Sequence, residues 1–178
     1  MSMVRRASAV WLLMAGAFLA SAWAQTPRAT QTNESISSRL QRFEDKEEIQ
    51  NLLLDYGRHL DSRDFAAYSR LFATDGEWVG GFGSVKGPAS IEAFMIKNMG
   101  TVNPAKNYHL LSNFVITVSG DTAKAWSRWT FVVPGDRGAA IAQAGRYDDT
   151  LVRENGTWRF KRRVASNDTA PPAPAAAR

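Results

Sequence analysis

The stretch YHLLSNFVITVSGDTAKAWSRWTFVV, residues 108–133, predicts two long strands joined by a tight turn. Apolar and polar residues alternate in both halves, as they do in strands that bury one face. The letters SGD between the halves mark the turn. Two further runs, 139–153 and 157–165, are separated by Asn155-Gly156, which is a strong hairpin signal. The second half of the chain therefore predicts an antiparallel meander.

The first half of the chain predicts helices. Residues 36–60 contain no proline and no glycine before Gly57, and their apolar residues recur at helical spacing. Asp64 is placed to cap a second, short helix, and Pro88 stands at the first turn of a third. The glycine-rich run 77–87 between them predicts a bent strand or hairpin. Helices followed by a meander indicate an α+β fold, and the missing βαβ alternation argues against a dinucleotide-binding fold.

The N-terminus predicts a secretory signal peptide over residues 1–24. A short basic start precedes an apolar stretch that is too short for a comfortable membrane span, and Ala22 and Ala24 form an Ala-x-Ala cleavage site. We therefore expect a periplasmic or secreted protein, with an uncleaved membrane anchor as the alternative. Mass spectrometry of the mature protein should find its N-terminus at Gln25. Intact Met1 in a membrane fraction would contradict export.

The rest of the chain divides into three predicted parts. Residues 25–35 predict a flexible leader and the Pro/Ala-rich residues 169–178 a disordered tail, which leaves 36–168 as one domain. Cleavage removes two arginines and no acid, so the formal charge falls from +5 to +3. This mild charge predicts no nucleic-acid partner, and no membrane contact is expected after cleavage. Two histidines and no cysteine offer no recognisable metal-ligand spacing, so we expect no metal and no cofactor.

One of the two histidines, His109, stands at the start of an apolar strand. On a regular strand it shares a face with Leu111, Asn113, Val115 and Thr117. That face is polar at its start and apolar further on, which is the pattern of a pocket wall. The alternative is a histidine at a strand end that faces water.

Tyr56 and Asp61 are candidate partners for a pocket histidine. Tyr56 lies on the apolar stripe of the first predicted helix, and Asp61 follows where that helix ends. An offset of five residues is about 140° around an ideal helix, so the two share a face only if the chain unwinds there. The alternatives are a core tyrosine and an aspartate that merely caps the next helix.

Four stretches of the chain resemble the SnoaL-like family of the nuclear transport factor 2-like superfamily, in the branch that includes scytalone dehydratase and bile acid 7α-dehydratase. They are IQNLLLDYGRHLDSRDFAAYSRLFATDGEWVG (49–80), VKGPASIEAFM (85–95), HLLSNFVITVSGDTAKAWS (109–127) and AGRYDDTLVRENGTWRFKRR (144–163). The resemblance implies a cone-shaped α+β barrel, in which a curved mixed sheet wraps around three N-terminal helices and leaves a pocket at its open end. Members include dehydratases, isomerases, polyketide cyclases and proteins that only bind.

The resemblance also implies catalytic roles for three residues. The spacings of Tyr56, Asp61 and His109 match those of the family dehydratases, with His109 as the base, Asp61 as its orienting partner and Tyr56 as an electrophilic helper. The sequence departs from the bile acid enzyme in one respect. That enzyme has a carboxylate on the next strand opposite the histidine, whereas a turn at SGD places Val132 opposite His109.

Five residues are candidates for substrate binding. Trp78 and Phe82 belong to an aromatic interior suited to a flat, apolar ligand, together with Trp126, Trp129, Phe131 and Trp158. The resemblance favours an inward Tyr147. The same turn places Arg128 opposite Asn113, where a cation inside the cone could bind a carboxylate or phenolate. The alternative for Arg128 is an outward-facing strand arginine.

Two functional interpretations remain open for this domain. The first is a cofactor-independent, dehydratase-like lyase or isomerase that acts on a cyclic or aromatic carbonyl compound. The second is a non-catalytic periplasmic ligand-binding or structural module with the same fold. Both have a small molecule as partner. Trp126 and Trp129 point to opposite faces of one strand, so one of them must lie outside the cone, and we expect a homodimer through that outer face.

Overall fold

The computed structural model describes residues 35–168. The predicted signal peptide, residues 25–34 of the predicted leader and the predicted tail lie outside the described residues. Ser35, the last residue of that leader, caps the first helix, because its hydroxyl accepts a hydrogen bond from the Ser38 backbone N–H. None of the helices in the described part is long and apolar enough to cross a membrane. The elements in chain order are α1 (Ile36–Ser62), α2 (Phe65–Ser69), β1 (Phe72–Gly80), β2 (Gly83–Lys86), α3 (Pro88–Met99), β3 (Tyr108–Ser119), β4 (Thr122–Gly135), β5 (Gly138–Glu154) and β6 (Thr157–Asn167).

The strands form one curved, open, six-stranded mixed sheet in the order β2-β1-β6-β5-β4-β3. All neighbours are antiparallel except β1 and β6, which run parallel. Helix α1 packs against β3, and α3 packs against β1 and β2. The predicted α+β cone is therefore confirmed. Residues 77–87 form a hairpin rather than a single bent strand. Strand β1 of this hairpin pairs in parallel with β6, so the hairpin adds two strands to the predicted four-stranded meander.

Helix α1 buries one stripe against the sheet and ends where the site begins. Its buried side chains include Ile49, Leu53 and Tyr56. The helix stops at Arg63, which adopts a left-handed conformation at φ 62° and donates its backbone N–H to the last carbonyls. Asp64 then caps α2 as predicted, because its carboxylate accepts from the Ala67 backbone N–H at 2.9 Å. The C-terminal cap of α1 and the N-terminal cap of α2 therefore fix the segment that contains Asp61.

Strand β3 contains a bulge that changes its register. His109 pairs with Phe131, whereas Val115 pairs with Trp126, so one extra residue is accommodated between Ser112 and Val115. Asn113 has φ 56° at this point, a left-handed conformation that asparagine tolerates better than most residues. The predicted pairing of His109 with Val132 is therefore wrong.

The bulge also overturns the prediction of a single face along β3. His109 and Leu111 lie on the inner, half-buried face before the bulge. After it, the exposed face holds Val115 and Thr117, and the inner face passes to Phe114, Ile116 and Val118. The prediction that Asn113, Val115 and Thr117 share the face of His109 is wrong, because a one-residue bulge exchanges the two faces of a strand.

A buried ion pair crosses from β5 to β6 inside the cone. Asp149 and Arg163 are directly paired residues of these strands, and two 2.7 Å bonds join the guanidinium to the carboxylate. Both side chains are fully buried. The Arg163 guanidinium also lies 3.9 Å from the Tyr56 ring centroid and 4.1 Å from that of Tyr147. The last arginine of RFKRR (159–163) is therefore buried, although the run is rich in positive charge.

Asp149 and Arg163 each favour the charged form of the other. Burial disfavours a charged guanidinium, yet the Asp149 carboxylate and its hydrogen bonds raise the pKa of Arg163 above its ordinary value. Burial raises the pKa of the Asp149 carboxyl, and the charge of Arg163 opposes that rise. The cone therefore encloses a compensated pair, with two tyrosine rings on the cation.

Candidate functional site

The concave side of the sheet encloses a cavity of about 360 Å³, a volume suited to a small molecule. Aromatic and aliphatic side chains dominate its wall, with a few polar groups among them. No Lys, Arg, Asp or Glu of residues 35–168 lines it. The lining residues are Tyr56, Leu60, Tyr68, Trp78, Gly81, Phe82, Met95, Met99, His109, Trp129, Phe131, Gln143, Tyr147, Ala165 and Asn167.

Asp61 and His109 form a two-point contact at the edge of this cavity. Asp61 Oδ1 lies 2.6 Å from His109 Nδ1, and Asp61 Oδ2 accepts the His109 backbone N–H at 2.8 Å. An ionised carboxylate only accepts hydrogen bonds, so Nδ1 carries the proton and Nε2 keeps a free lone pair. His109 lines the cavity and Asp61 does not. The basic nitrogen is therefore the one available to a ligand.

Asn103 ties the two elements that carry this pair. Its side-chain amide donates to the Asp61 backbone carbonyl at 3.0 Å and to the Asn107 carbonyl at 2.7 Å. Its side-chain oxygen accepts the Asn107 backbone N–H at 3.2 Å. One loop side chain thus fixes the end of α1 against the start of β3. No pattern in the sequence points to this residue, because the contact spans 42 residues.

Tyr56 is a second polar residue that lines the cavity. The Trp78 indole N–H donates to the Tyr56 hydroxyl oxygen at 3.0 Å, and both side chains are buried. Burial raises the pKa of Tyr56, while the nearby Arg163 charge acts in the other direction. The Tyr56 hydroxyl therefore keeps its proton at neutral pH and can act as a hydrogen-bond donor.

Trp78, Phe82 and Tyr147 also line the cavity. Phe82 stacks on Trp78 with ring centroids 6.4 Å apart and is 57% exposed, which places it at the mouth. Tyr147 is buried, and burial raises its pKa well above the ordinary value. These three of the five predicted binding residues are brought together with Tyr56 and His109.

Asn113 and Arg128 lie away from the cavity. Asn113 is exposed within the β3 bulge. Arg128 pairs with Ser112 rather than Asn113, and its guanidinium forms an ion pair with Asp168 near the Trp126 ring. The prediction that Arg128 places a cation inside the cone is wrong, because the alternation of β4 puts Ser127 and Trp129 inside and Arg128 outside. Trp126 is accordingly the outward tryptophan, and the homodimer stays a prediction.

Trp129 and Phe131, two residues of the predicted aromatic interior, line the cavity as well. Phe131 packs on His109 with centroids 4.8 Å apart, and the Trp129 indole donates to the Arg146 carbonyl at 3.2 Å. Tyr68 is fully buried and packs on Tyr56 with ring centroids 4.7 Å apart. Alternation along β4 marks Phe131 and Trp129 as inward, whereas Tyr68 on a helix gives no such signal. Within residues 35–168 no group of three His, Asp or Glu side chains is placed to hold a metal ion.

Comparisons with known proteins agree with this architecture. A SnoaL-like domain model matches residues 41–164. Uncharacterized proteins of Mycobacterium tuberculosis and Mycobacterium bovis are 35% identical over 126 residues, which is 67% of this chain and 83% of each relative.

Two solved structures from Novosphingobium aromaticivorans are similar as well. An NTF2-like protein with a cystatin-like fold is 29% identical, with a TM-score of 0.68, over 76% of this chain and 90% of that one. A candidate scytalone dehydratase is 26% identical, with a TM-score of 0.61, over 72% and 87% of the two chains. With the domain match spanning most of the chain, this protein belongs to the SnoaL-like domain family.

Proposed function

We propose that the domain is a cofactor-independent acid–base catalyst, a lyase or isomerase, acting on a cyclic or aromatic carbonyl compound. The observation that carries the proposal is the Asp61–His109 pair at the edge of a mostly apolar cavity that Tyr56 also lines. A base and a donor around one apolar space are the two groups that enolisation requires.

The proposed chemistry begins with proton abstraction. His109 Nε2 takes a proton from the carbon next to the carbonyl. The electrons of the broken C–H bond form a carbon–carbon double bond, and the π electrons of the carbonyl move to its oxygen. The Tyr56 hydroxyl donates a hydrogen bond to that oxygen, and Asp61 stabilises the imidazolium that forms. An isomerase returns the proton to another carbon. A lyase gives it to a leaving group on the β carbon, which departs as the double bond forms.

The cavity wall supports the proposed class of ligand. Trp129 and Tyr147 form part of one side with ring centroids 6.1 Å apart, and Phe131 lies beside the base. Flat apolar rings suit such walls. The solved relative described as a candidate scytalone dehydratase favours the same reaction class.

The experiment is deuterium exchange of 2-tetralone, a flat ketone with acidic protons next to its carbonyl. Purified protein in D₂O should accelerate loss of the α-proton signals in NMR spectra beyond the buffer rate. Enolisation needs only the base and the carbonyl donor, so the natural substrate does not have to be known. Binding without accelerated exchange would contradict catalysis.

That outcome would favour the second candidate function, a ligand-binding module. Phe131, not a carboxylate, stands opposite His109 on β4, so the second acid of the bile acid enzyme has no counterpart at that position. A cavity without that acid can still bind a ketone through Tyr56 and its aromatic wall. Calorimetry with 2-tetralone therefore accompanies the exchange measurement and separates the two functions.

A further inference from the structure

The hydrogen bond between Trp78 and Tyr56 has only one direction. An indole nitrogen is a donor and never an acceptor, so the Tyr56 oxygen must accept in this 3.0 Å bond. The phenolic proton of Tyr56 then has to point to another acceptor. The neighbouring Tyr68 hydroxyl acts as a second donor to the Tyr56 oxygen, because its hydrogen bond lowers the pKa of Tyr56. Tyr56 lines the cavity, so the acceptor that the geometry offers to its own proton is an atom of a bound ligand.

The indole that sets this direction is itself held in place. Trp78 is 5% exposed and packs against Phe94, with ring centroids 5.7 Å apart. A Cβ atom at Gly80 would lie 2.5 Å from Trp78 Cη2, so the indole ring lies directly over a glycine that leaves it room. A donor fixed by packing loses little entropy when its bond forms.

The positive charge near Tyr56 stabilises the same electron density as the Trp78 indole N–H does. When Tyr56 donates to an oxygen that becomes negative, its own oxygen gains electron density. The Trp78 N–H stabilises that density directly, and the Arg163 guanidinium lies over the face of the Tyr56 ring. Successive hydrogen bonds of this kind strengthen one another in a medium of low dielectric constant.

We propose that Trp78 is a positioning residue, which acts through Tyr56 to direct one hydrogen-bond donor at the carbonyl oxygen of the ligand. The inference rests on the proposed function for the identity of that oxygen. The role of Trp78 does not require catalysis, because the Tyr56 hydroxyl can select carbonyl ligands even in a protein that only binds them.

The test compares 2-tetralone with tetralin, which has the same two rings and no carbonyl. We expect the wild-type protein to bind the ketone more tightly, and Trp78→Phe to reduce that preference by about two- to tenfold, the range of one net hydrogen bond. Calorimetry measures both affinities. Using their ratio cancels the change in cavity volume that the smaller ring introduces.

A double-mutant cycle separates positioning from packing. Tyr56→Phe should abolish the preference for the ketone, and adding Trp78→Phe to it should change the ratio no further, because the indole acts through the tyrosine. Additive effects of the two substitutions would overturn the proposal. So would a wild-type protein that shows no preference for the ketone, including one that binds neither ligand.

The matched control is Trp158→Phe. Trp158 is similarly buried, does not line the cavity, and lies beneath the Arg153 guanidinium at 4.5 Å. This substitution should leave the ketone preference unchanged. A second measurement covers the case in which Trp78→Phe does not fold: the Trp78 indole proton of the otherwise unchanged protein should move upfield in NMR spectra of Tyr56→Phe. An unmoved resonance would overturn the proposal.

The two measurements distinguish failure of the role proposed for Trp78 from failure of the proposed catalytic function. Loss of ketone preference in Trp78→Phe, together with no exchange in the wild type, would leave the positioning role standing in a binding module. Exchange in the wild type with an unchanged preference in Trp78→Phe would leave the catalyst standing and reject the role of Trp78.

Discussion

Replacing His109 with alanine is expected to lower the protein-catalysed deuterium exchange of 2-tetralone by about 100- to 10,000-fold, the usual contribution of a positioned general base. His109 is the only histidine on the cavity wall, and its Nδ1 is already bonded to Asp61. No other lining side chain of the described chain is a base of comparable strength, since the remainder are aromatic, aliphatic or amide groups. NMR spectroscopy in D₂O gives the rate.

The second histidine supplies the control. His59 lies on α1 outside the cavity lining, with its Nδ1 3.9 Å from an Asp64 oxygen. His59→Ala should therefore exchange the ketone at the wild-type rate. Equal losses in the two variants, or exchange in His109→Ala close to that of the wild type, would reject His109 as the base. Circular dichroism should show that both variants are folded.

Asp61→Asn tests the partner of the base. The amide oxygen can still accept one hydrogen bond, but the amide nitrogen cannot accept the His109 backbone N–H that Asp61 Oδ2 accepts at 2.8 Å. The variant should also lose the negative charge that stabilises the imidazolium. We expect its exchange rate to lie between those of the wild type and His109→Ala.

Replacing Arg163 with methionine should destabilise the domain by about 3–5 kcal/mol, because it leaves the Asp149 carboxylate buried without its partner. The side chain is also enclosed by the rings of Tyr56, Tyr147 and Phe160, with which its cation interacts. Domains of this size are stable by about 5–15 kcal/mol, so one substitution removes a large share of that margin. Urea denaturation measures the change.

The neighbouring arginine provides a matched comparison. Arg162 forms a 2.9 Å bond to Glu77, but its side chain is 50% exposed. Arg162→Met should cost about 1 kcal/mol or less, as exposed ion pairs usually do. The pair of substitutions Arg163→Met and Asp149→Leu should recover much of the loss, because no buried charge then remains. A double variant less stable than Arg163→Met would contradict this account.

Most of the fold could be predicted from local patterns. Strand alternation and the Asn155-Gly156 turn located the meander, and the Asp64 cap located the second helix, because each depends on residues close in sequence. The bulge in β3 could not be predicted from alternation. It is marked only by Asn113, with no glycine or proline, and an asparagine occurs as readily on a regular exposed strand surface.

The part of the site that could be predicted is the part for which the family resemblance supplied the distance in sequence between residues. Asp61 and His109 are 48 residues apart, and no local pattern joins them; the family spacing does. The burial of Arg163 had no such guide. Four positively charged residues in RFKRR look alike, and only the pairing of β5 with β6 distinguishes the one that meets Asp149. The Trp78–Tyr56 bond likewise depends on how a helix and a strand are docked.

The bulge at Asn113 allows β3 to hold an extra residue without changing which side chains face the interior. Loss of the Asn113 codon would join Ser112 to Phe114, and the part of β3 in which Val115 pairs with Trp126 would keep its packing. His109, Leu111 and Phe114 would then alternate regularly on the inner face of one strand. The histidine would therefore stay in the pocket. Lineages of this fold can gain or lose a residue at this point and keep the base.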